Sequence, residues 1–170
     1  MRKKGEKKMM IKEVHRSKKV EQIMRHPVVV TPDATQKEAF EVLLEHRLPC
    51  VPVVDEEGFL VGSIGDRQLL EPVIADYLKM LEDVSFLSAT EADWIEHPEG
   101  AADKPISEGT IGEVPSVEVG TNAVVAAHRM VHDEGVSGVV ITDGGKVAGV
   151  LYRLDLYAAM IGATKEEEGR

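Results

Sequence analysis

A few residue groups in this chain have types and spacings that could carry chemistry. His128 and His132 stand at i and i+4, one face of a helix, a spacing that can hold zinc. No Glu follows His128 as a metalloprotease pattern requires, and His132 falls opposite apolar Leu44 when the chain is laid on itself. A partly buried or surface role therefore fits the pair better than a ligand role. His15, His26, His46 and His97 are scattered. Gly135-Val136-Ser137-Gly138 superficially suggests a nucleophile elbow but does not complete the five-residue pattern. Asp143-Gly144-Gly145-Lys146 is read as a hairpin turn and not a phosphate loop, because no Gly-Lys-Ser/Thr follows into a helix. Cys50 is the single cysteine, which excludes an intrachain disulfide and a multi-cysteine metal site. It lies beside an apolar strand, where a thiol behaves as a small hydrophobe. No nucleophile–base pair and no metal set converges, so the sequence assigns no catalytic and no metal-binding residue.

Composition narrows the remaining classes. The 170 residues are 43 % hydrophobic and 29 % charged, as in globular proteins, with a formal net charge of −10. Aromatics are 4 %, thin for a deep ring-binding cleft or for stacking on single-stranded nucleic acid. The acidic balance argues against a duplex DNA partner, which needs cations facing phosphates. No apolar run approaches the roughly 20 residues of a membrane span, and the N-terminus has no secretory apolar stretch. A cytoplasmic protein without membrane insertion is expected. Charge is uneven: residues 1–19 hold nine Lys or Arg against Glu6 and Glu13, leaving 11 basic and 28 acidic residues for the rest. Such a basic block reads as a solvated arm.

The elements that would position a site come from an internal repeat. Laying Ile23–Asp55 over Ile111–Asp143 at an offset of 88 pairs Pro27 with Pro115, Val29 with Val117, Ala39 with Ala127 and Leu43 with Val131. Val51 then meets Val139 and Val53 meets Ile141; a shorter turn in the second copy drops the offset to 87, so that Gly62 meets Gly149. Each copy has about 50 residues, too few for a self-sufficient core, so the copies are expected to pack on each other.

Each copy reads β-α-β-β-α. A short strand (Val28–Thr31; Ser116–Val119) precedes an amphipathic helix, marked by Ala39, Phe40, Leu43 and Leu44 in one copy. Ala123, Ala126, Ala127, Met130 and Val131 mark it in the other. A β-branched strand follows (Val51–Val54; Val139–Thr142), then a glycine-bearing turn and a third strand (Phe59–Ile64; Val147–Leu151). The closing helix begins near Asp66 and near Arg153. In the acidic stretch between the copies, Val73, Ile74, Tyr77, Leu78 and Leu81 extend that helix to about Leu81, and Ser88 to Trp94 reads as a short capped helix. Phe86 and Trp94 would mark a partner surface if exposed.

The repeat resembles a CBS domain pair, or Bateman module. Copy one carries Val20-Glu21-Gln22-Ile23-Met24, Val30-Thr31-Pro32-Asp33-Ala34-Thr35, Leu48 to Asp55, Gly58-Phe59-Leu60-Val61-Gly62 and Asp66-Arg67-Gln68-Leu69-Leu70. Copy two matches at Ile111-Gly112-Glu113-Val114-Pro115, Gly135 to Gly138, and Gly149 to Leu156. The resemblance implies an α/β fold of the α+β kind, with two β-α-β-β-α repeats packed face to face about a pseudo-two-fold axis and a helical insert between them. The expected division is a basic arm 1–19, repeat one 20–70, insert 71–106, repeat two 107–161 and a charged tail 162–170.

The family's ligand signature is a glycine, two apolar residues, Thr or Ser, two variable residues, then Asp, and it implies an adenosine-containing ligand in a cleft between the copies. Copy two reads Gly149, Val150, Leu151, Tyr152, Arg153, Leu154, Asp155: the ribose carboxylate is present, and Tyr152 replaces the smaller hydroxyl. Copy one has Gly65 at the hydroxyl position and Gln68 at the Asp position, where a neutral amide lacks the bidentate acceptor. The expected site gathers Asp155, Tyr152, Arg153 and Gly149 with Pro115, Val117, Ser137, Gly138 and Val139. A degenerate one gathers Gln68, Arg67, Gly65, Pro27, Val29 and Val51. Asp66, two positions before Gln68, would point elsewhere on the helix.

The function so implied is non-enzymatic: a stand-alone, homodimeric energy or metabolite sensor that needs no cofactor. It would bind AMP, ADP, ATP or S-adenosylmethionine and modulate a partner protein that the sequence does not name. The alternative is a ligand-independent dimerisation scaffold or adaptor with degenerate nucleotide sites.

Overall fold

The structure is a computed structural model and describes residues 18–71, 100–133 and 136–162. The basic arm up to residue 17, the helix extension to Leu81, the helix at Ser88–Trp94 with Phe86, and the tail beyond 162 lie outside the described residues.

In the first repeat, α1 (Gln36–His46) leads to β1 (Cys50–Val54), β2 (Leu60–Gly65) and the short α2 (Asp66–Leu70). In the second, β3 (Ser116–Glu118) and α3 (Ala123–His132) lead to β4 (Gly138–Asp143), β5 (Lys146–Tyr152) and α4 (Arg153–Ile161). β1 and β2 form an antiparallel hairpin; β3 pairs in parallel with β4, which pairs antiparallel with β5. The caps explain the helix starts. The Thr35 hydroxyl accepts from the Glu38 N–H at 3.1 Å while the Glu38 carboxylate accepts from the Thr35 N–H at 2.8 Å. That backbone N–H, with the Thr35 hydroxyl, lowers the Glu38 pKa. Asn122 caps α3, its side-chain oxygen accepting from the Val124 N–H at 3.0 Å.

The first strand of repeat one is reduced to a single parallel bridge, Val30 to Val53, instead of spanning Val28–Thr31. Val30 N–H donates to the Pro52 carbonyl and Val54 N–H to the Val30 carbonyl. Extending the ladder backward needs an N–H at position 52, and extending it forward needs one at 32. Both are prolines, which have none. Repeat two has Val140 and Val119 at those places, their N–H groups donate to the Pro115 and Thr142 carbonyls, and β3 forms there.

The gapless offset of 88 is corrected as well. Thr35 and Asn122 are the equivalent caps, Ala39 and Ala126 the equivalent buried alanines, and Leu43 meets Met130. Val30 at 7 % exposure is the counterpart of Val117 at 9 %, and Val29 faces solvent. The offset is therefore 87 from the leading segment through the first helix. It becomes 88 only at β1 and β4, and returns to 87 after the hairpin. On this register Val131 leaves the apolar face, where the sequence had placed it, and stands 82 % exposed; Phe40 and Leu44 are exposed too.

Each repeat has its own core, and each core borrows from the other repeat's leading segment. Val51, Val53, Ile64, Ala39 and Leu43 pack with Ile106. Val117, Val139, Ile141, Leu151 and Met130 pack with Val20. The crossing is symmetric in its hydrogen bonds. Ile106 N–H donates to the Ala34 carbonyl and Gln36 N–H to the Lys104 carbonyl; Val20 N–H donates to the Thr121 carbonyl and Ala123 N–H to the Lys18 carbonyl. Two units of about 50 residues thus share their cores by exchange, which supplies the burial neither has alone.

Candidate functional site

Two equivalent clefts arise where the leading segment of one repeat crosses the third strand of the other. Arg25 exchanges backbone hydrogen bonds with Val150 at 2.8 and 3.2 Å, and Gly112 exchanges them with Ser63 at 2.8 and 2.9 Å. The signature glycines let the chains approach. A Cβ on Gly62 would lie 2.7 Å from the Gly112 carbonyl oxygen, and one on Gly149 would lie 2.9 Å from that of Arg25.

In the first cleft the protein occupies itself. The Arg25 guanidinium meets Asp155 through two bonds, Nε to Oδ2 at 2.7 Å and Nη2 to Oδ1 at 2.8 Å. The Asp155 side chain is 4 % exposed and that of Arg25 41 %. The guanidinium also lies 5.6 Å from the Tyr152 ring centroid. The Tyr152 hydroxyl donates to the Cys50 carbonyl at 2.9 Å, tying the repeats together across the middle. Burial pushes the phenol pKa up, with the charges of Cys50 and Asp155 adding and Arg25 opposing.

The second cleft is open. Gly112 takes the place of Arg25, Gln68 that of Asp155 and Gly65 that of Tyr152. A Cβ on Gly112 would lie 2.8 Å from the Gln68 Nε2, so the absent side chain is what leaves room for the amide. The cleft has a volume of about 320 Å³, within the lower range of small-molecule sites. Its walls come from both repeats: Pro49, Cys50, Ser63, Asp66, Arg67, Gln68 and Glu71 from one side, and Glu113, Val114, Pro115, Val136, Ser137 and Gly138 from the other. Burial, then the charge of Asp66, pushes the Cys50 thiol up to about 11.

The structure thus regroups the residues singled out from sequence. Arg67 and Gln68 share the open cleft with Pro115, Ser137 and Gly138, residues that the sequence reading had divided between two sites. Val51, Val117 and Val139 are core residues of their own repeats. Gly65 packs beneath Pro49 and Cys50, Arg153 is exposed at the start of α4, Pro27 is half-buried and Val29 is exposed. Asp66, which the sequence pointed elsewhere, lines the cleft. Sequence reasoning passed over Arg25 and Gly112; the signal available for them was the offset of 87, which places them opposite Asp155 and Gln68. His128 and His132 stack with ring centroids 4.1 Å apart on the exposed side of α3, and no group of three metal-ligating side chains occurs among the described residues.

Known proteins share this fold. The chain is 35 % identical over 94 residues to inosine-5'-monophosphate dehydrogenase of Aquifex aeolicus, a match covering 55 % of this chain and 18 % of that enzyme, so the chain spans under a fifth of its length. Among solved structures, it is similar to Arabidopsis thaliana CBSX2 in complex with AMP, with TM-score 0.61 and 23 % identity over 85 % of this chain and 96 % of that one. It is similar also to the CBS domain of the bacterial CNNM/CorC family Mg2+ transporter in complex with ATP, with TM-score 0.63 and 17 % identity over 95 % and 99 %. The CBS domain model matches residues 20–74 and again 110–162, so the chain belongs to the CBS domain family as a tandem pair.

Proposed function

We propose that the chain is a non-catalytic regulatory module that takes an adenosine-containing ligand in the Gln68 cleft and modulates a partner protein. The observation that carries this reading is an open cleft of about 320 Å³ walled by both repeats, so that a ligand's fit depends on how the repeats sit together. A ligand that fits one relative arrangement better shifts the population toward it. The AMP and ATP held by two structural relatives supply the ligand class; ADP and S-adenosylmethionine share its nucleoside. Gln68 would hydrogen-bond one ribose hydroxyl, Ser137 and Ser63 offer hydroxyls, and Pro115 and Val136 offer apolar walls. Asp155 is engaged by Arg25, so the first cleft serves to fasten the repeats together. No cofactor is required by this scheme.

The module would work in the cytoplasm as a homodimer. Val124 and Val131 on α3, Phe40 and Leu44 on α1, and Leu154, Tyr157, Met160 and Ile161 on α4 are exposed apolar residues suited to a second copy. Among the described residues no helix is long and apolar enough to cross a membrane. A second reading, a ligand-independent dimerisation scaffold, is favoured by the self-occupied first cleft. A thermal-shift series with AMP, ADP, ATP and S-adenosylmethionine, run beside a mass measurement, separates the two. A rise in melting temperature with ligand concentration supports the sensor. An unchanged melt with dimer mass supports the scaffold.

A further inference from the structure

If the Gln68 cleft takes a nucleoside as proposed above, its charges sort the tail that the nucleoside carries. Among the described residues, Asp66, Glu71 and Glu113 line the cleft against the single cation Arg67. The backbone donor that a phosphate would seek at the start of α2 is already engaged, because the Asp66 carboxylate accepts from the Arg67 N–H at 2.7 Å. Ser63 also lines the cleft, and its hydroxyl, which has no hydrogen-bond partner among the described residues, is available there to a polar ligand group. The Asp66 charge is felt at Cys50 on the same wall of the cleft, whose thiol it helps to hold protonated. Glu113 differs from Asp66 in having no backbone amide among the described residues to occupy it. It comes from the opposite repeat, directly after the Gly112 that leaves the cleft open.

We propose that this cleft takes a nucleoside with a cationic tail and disfavours one with a phosphate tail, with Glu113 as the selecting carboxylate. A carboxylate a few ångströms from a tail charge in a part-solvated cleft is worth on the order of tenfold in affinity. Salt weakens such a preference without removing it.

The test is calorimetric titration of the full chain with four probes at low and high salt: adenosine, AMP, S-adenosylmethionine and S-adenosylhomocysteine. The last two differ by the sulfonium charge. S-adenosylmethionine is expected to bind about tenfold tighter than S-adenosylhomocysteine, and AMP about tenfold weaker than adenosine, with both gaps shrinking in salt. Glu113→Gln, checked by an unchanged melt, is expected to narrow both gaps. AMP binding tighter than adenosine, or gaps unmoved in Glu113→Gln, overturns the charge selection and leaves the nucleoside site standing. Absence of binding by all four probes overturns the nucleoside site itself, and the selection with it.

Discussion

The two clefts are built on the same backbone crossing and end in opposite states. One holds Arg25 against both Asp155 and the Tyr152 ring; the other holds Gly112, Gly65 and Gln68. The comparison teaches that the acid at a signature position can be engaged within the chain itself. Asp155 retains the signature's acid, yet that acid is spoken for by a guanidinium inside the same chain. Gln68 departs from the signature, yet it stands where there is room. Three side-chain differences at equivalent positions therefore divide the labour of the pair: one cleft fastens the repeats and the other stays open.

The strongest way to break this comparison is to remove the fastener. Arg25→Ala takes the bidentate partner from the buried Asp155 carboxylate, and a loss of about 2 kcal/mol is expected. Gln68→Ala in the open cleft is expected to cost under about 0.5 kcal/mol. Urea unfolding of both variants without ligand measures the contrast, and equal losses would show that the clefts do not differ as described. The double variant Arg25→Met with Asp155→Leu is expected to recover most of the stability, because apolar contact replaces a charge pair that was costly to desolvate.

A second comparison concerns what the clefts share. Gly62 and Gly149 each lie against a carbonyl of the opposing leading segment. Gly62→Ala and Gly149→Ala should therefore cost similar amounts, about 2 kcal/mol each, as overpacking against backbone that cannot rotate away. Gly58→Ala, at φ 87° in the hairpin turn, would be strained by its backbone angle alone, with nothing within 4 Å of the added carbon. Melts of the three variants separate a close approach from a turn requirement. A mild Gly149→Ala beside a severe Gly62→Ala would show that the crossing is not symmetric.

Transplanting the fastener sharpens the difference further. Gly112→Arg combined with Gln68→Asp puts the Arg25–Asp155 pair into the open cleft. The nearest atoms to a Cβ at 112 all belong to the Gln68 side chain, so the change is accommodated by a rotamer of residue 68. Ligand affinity in this double variant is expected to fall at least about tenfold, near 1.4 kcal/mol, with the melting temperature maintained. Retained affinity, measured by titration with adenosine, would place the ligand elsewhere.

Much of this was legible in the sequence, and the reasons for the rest are local. The repeat, the hairpins at β1–β2 and β4–β5 and the starts of α2 and α4 follow from alternation, turn glycines and spacing. The register of the leading segment does not, because Val28, Val29 and Val30 are chemically alike and an offset of 87 or 88 pairs apolar with apolar either way. Only the caps Thr35 and Asn122 break the tie. The missing strand was written in Pro32 and Pro52, but reading it required knowing that Val30 faces Val53. The exchange of Val20 and Ile106 between cores and the pairing of Arg25 with Asp155 are contacts between distant segments, which periodicity within a segment does not report.

The smallest expected effect concerns Cys50, whose thiol looks into the open cleft while its carbonyl holds Tyr152 of the fastened one. Burial is the larger cause of its raised pKa and Asp66 the smaller, so Asp66→Asn should bring the titration down from about 11 while leaving it above 9. The pH profile of iodoacetamide alkylation measures this directly, and a midpoint unmoved by Asp66→Asn would mean that the carboxylate's field does not reach the thiol. The sign for stability follows from the same shift. The folded chain holds the thiol proton more tightly than the unfolded chain, so this contribution is fully present below pH 9 and is lost as pH rises through about 11. Cys50→Ala should flatten that part of the alkaline stability curve. The raised Tyr152 phenol adds a slope of the same sign from about pH 10 upward, and it should persist in Cys50→Ala because burial is its leading cause. A curve that Cys50→Ala leaves unchanged between pH 9 and 11 would assign the whole alkaline loss to the fastened cleft.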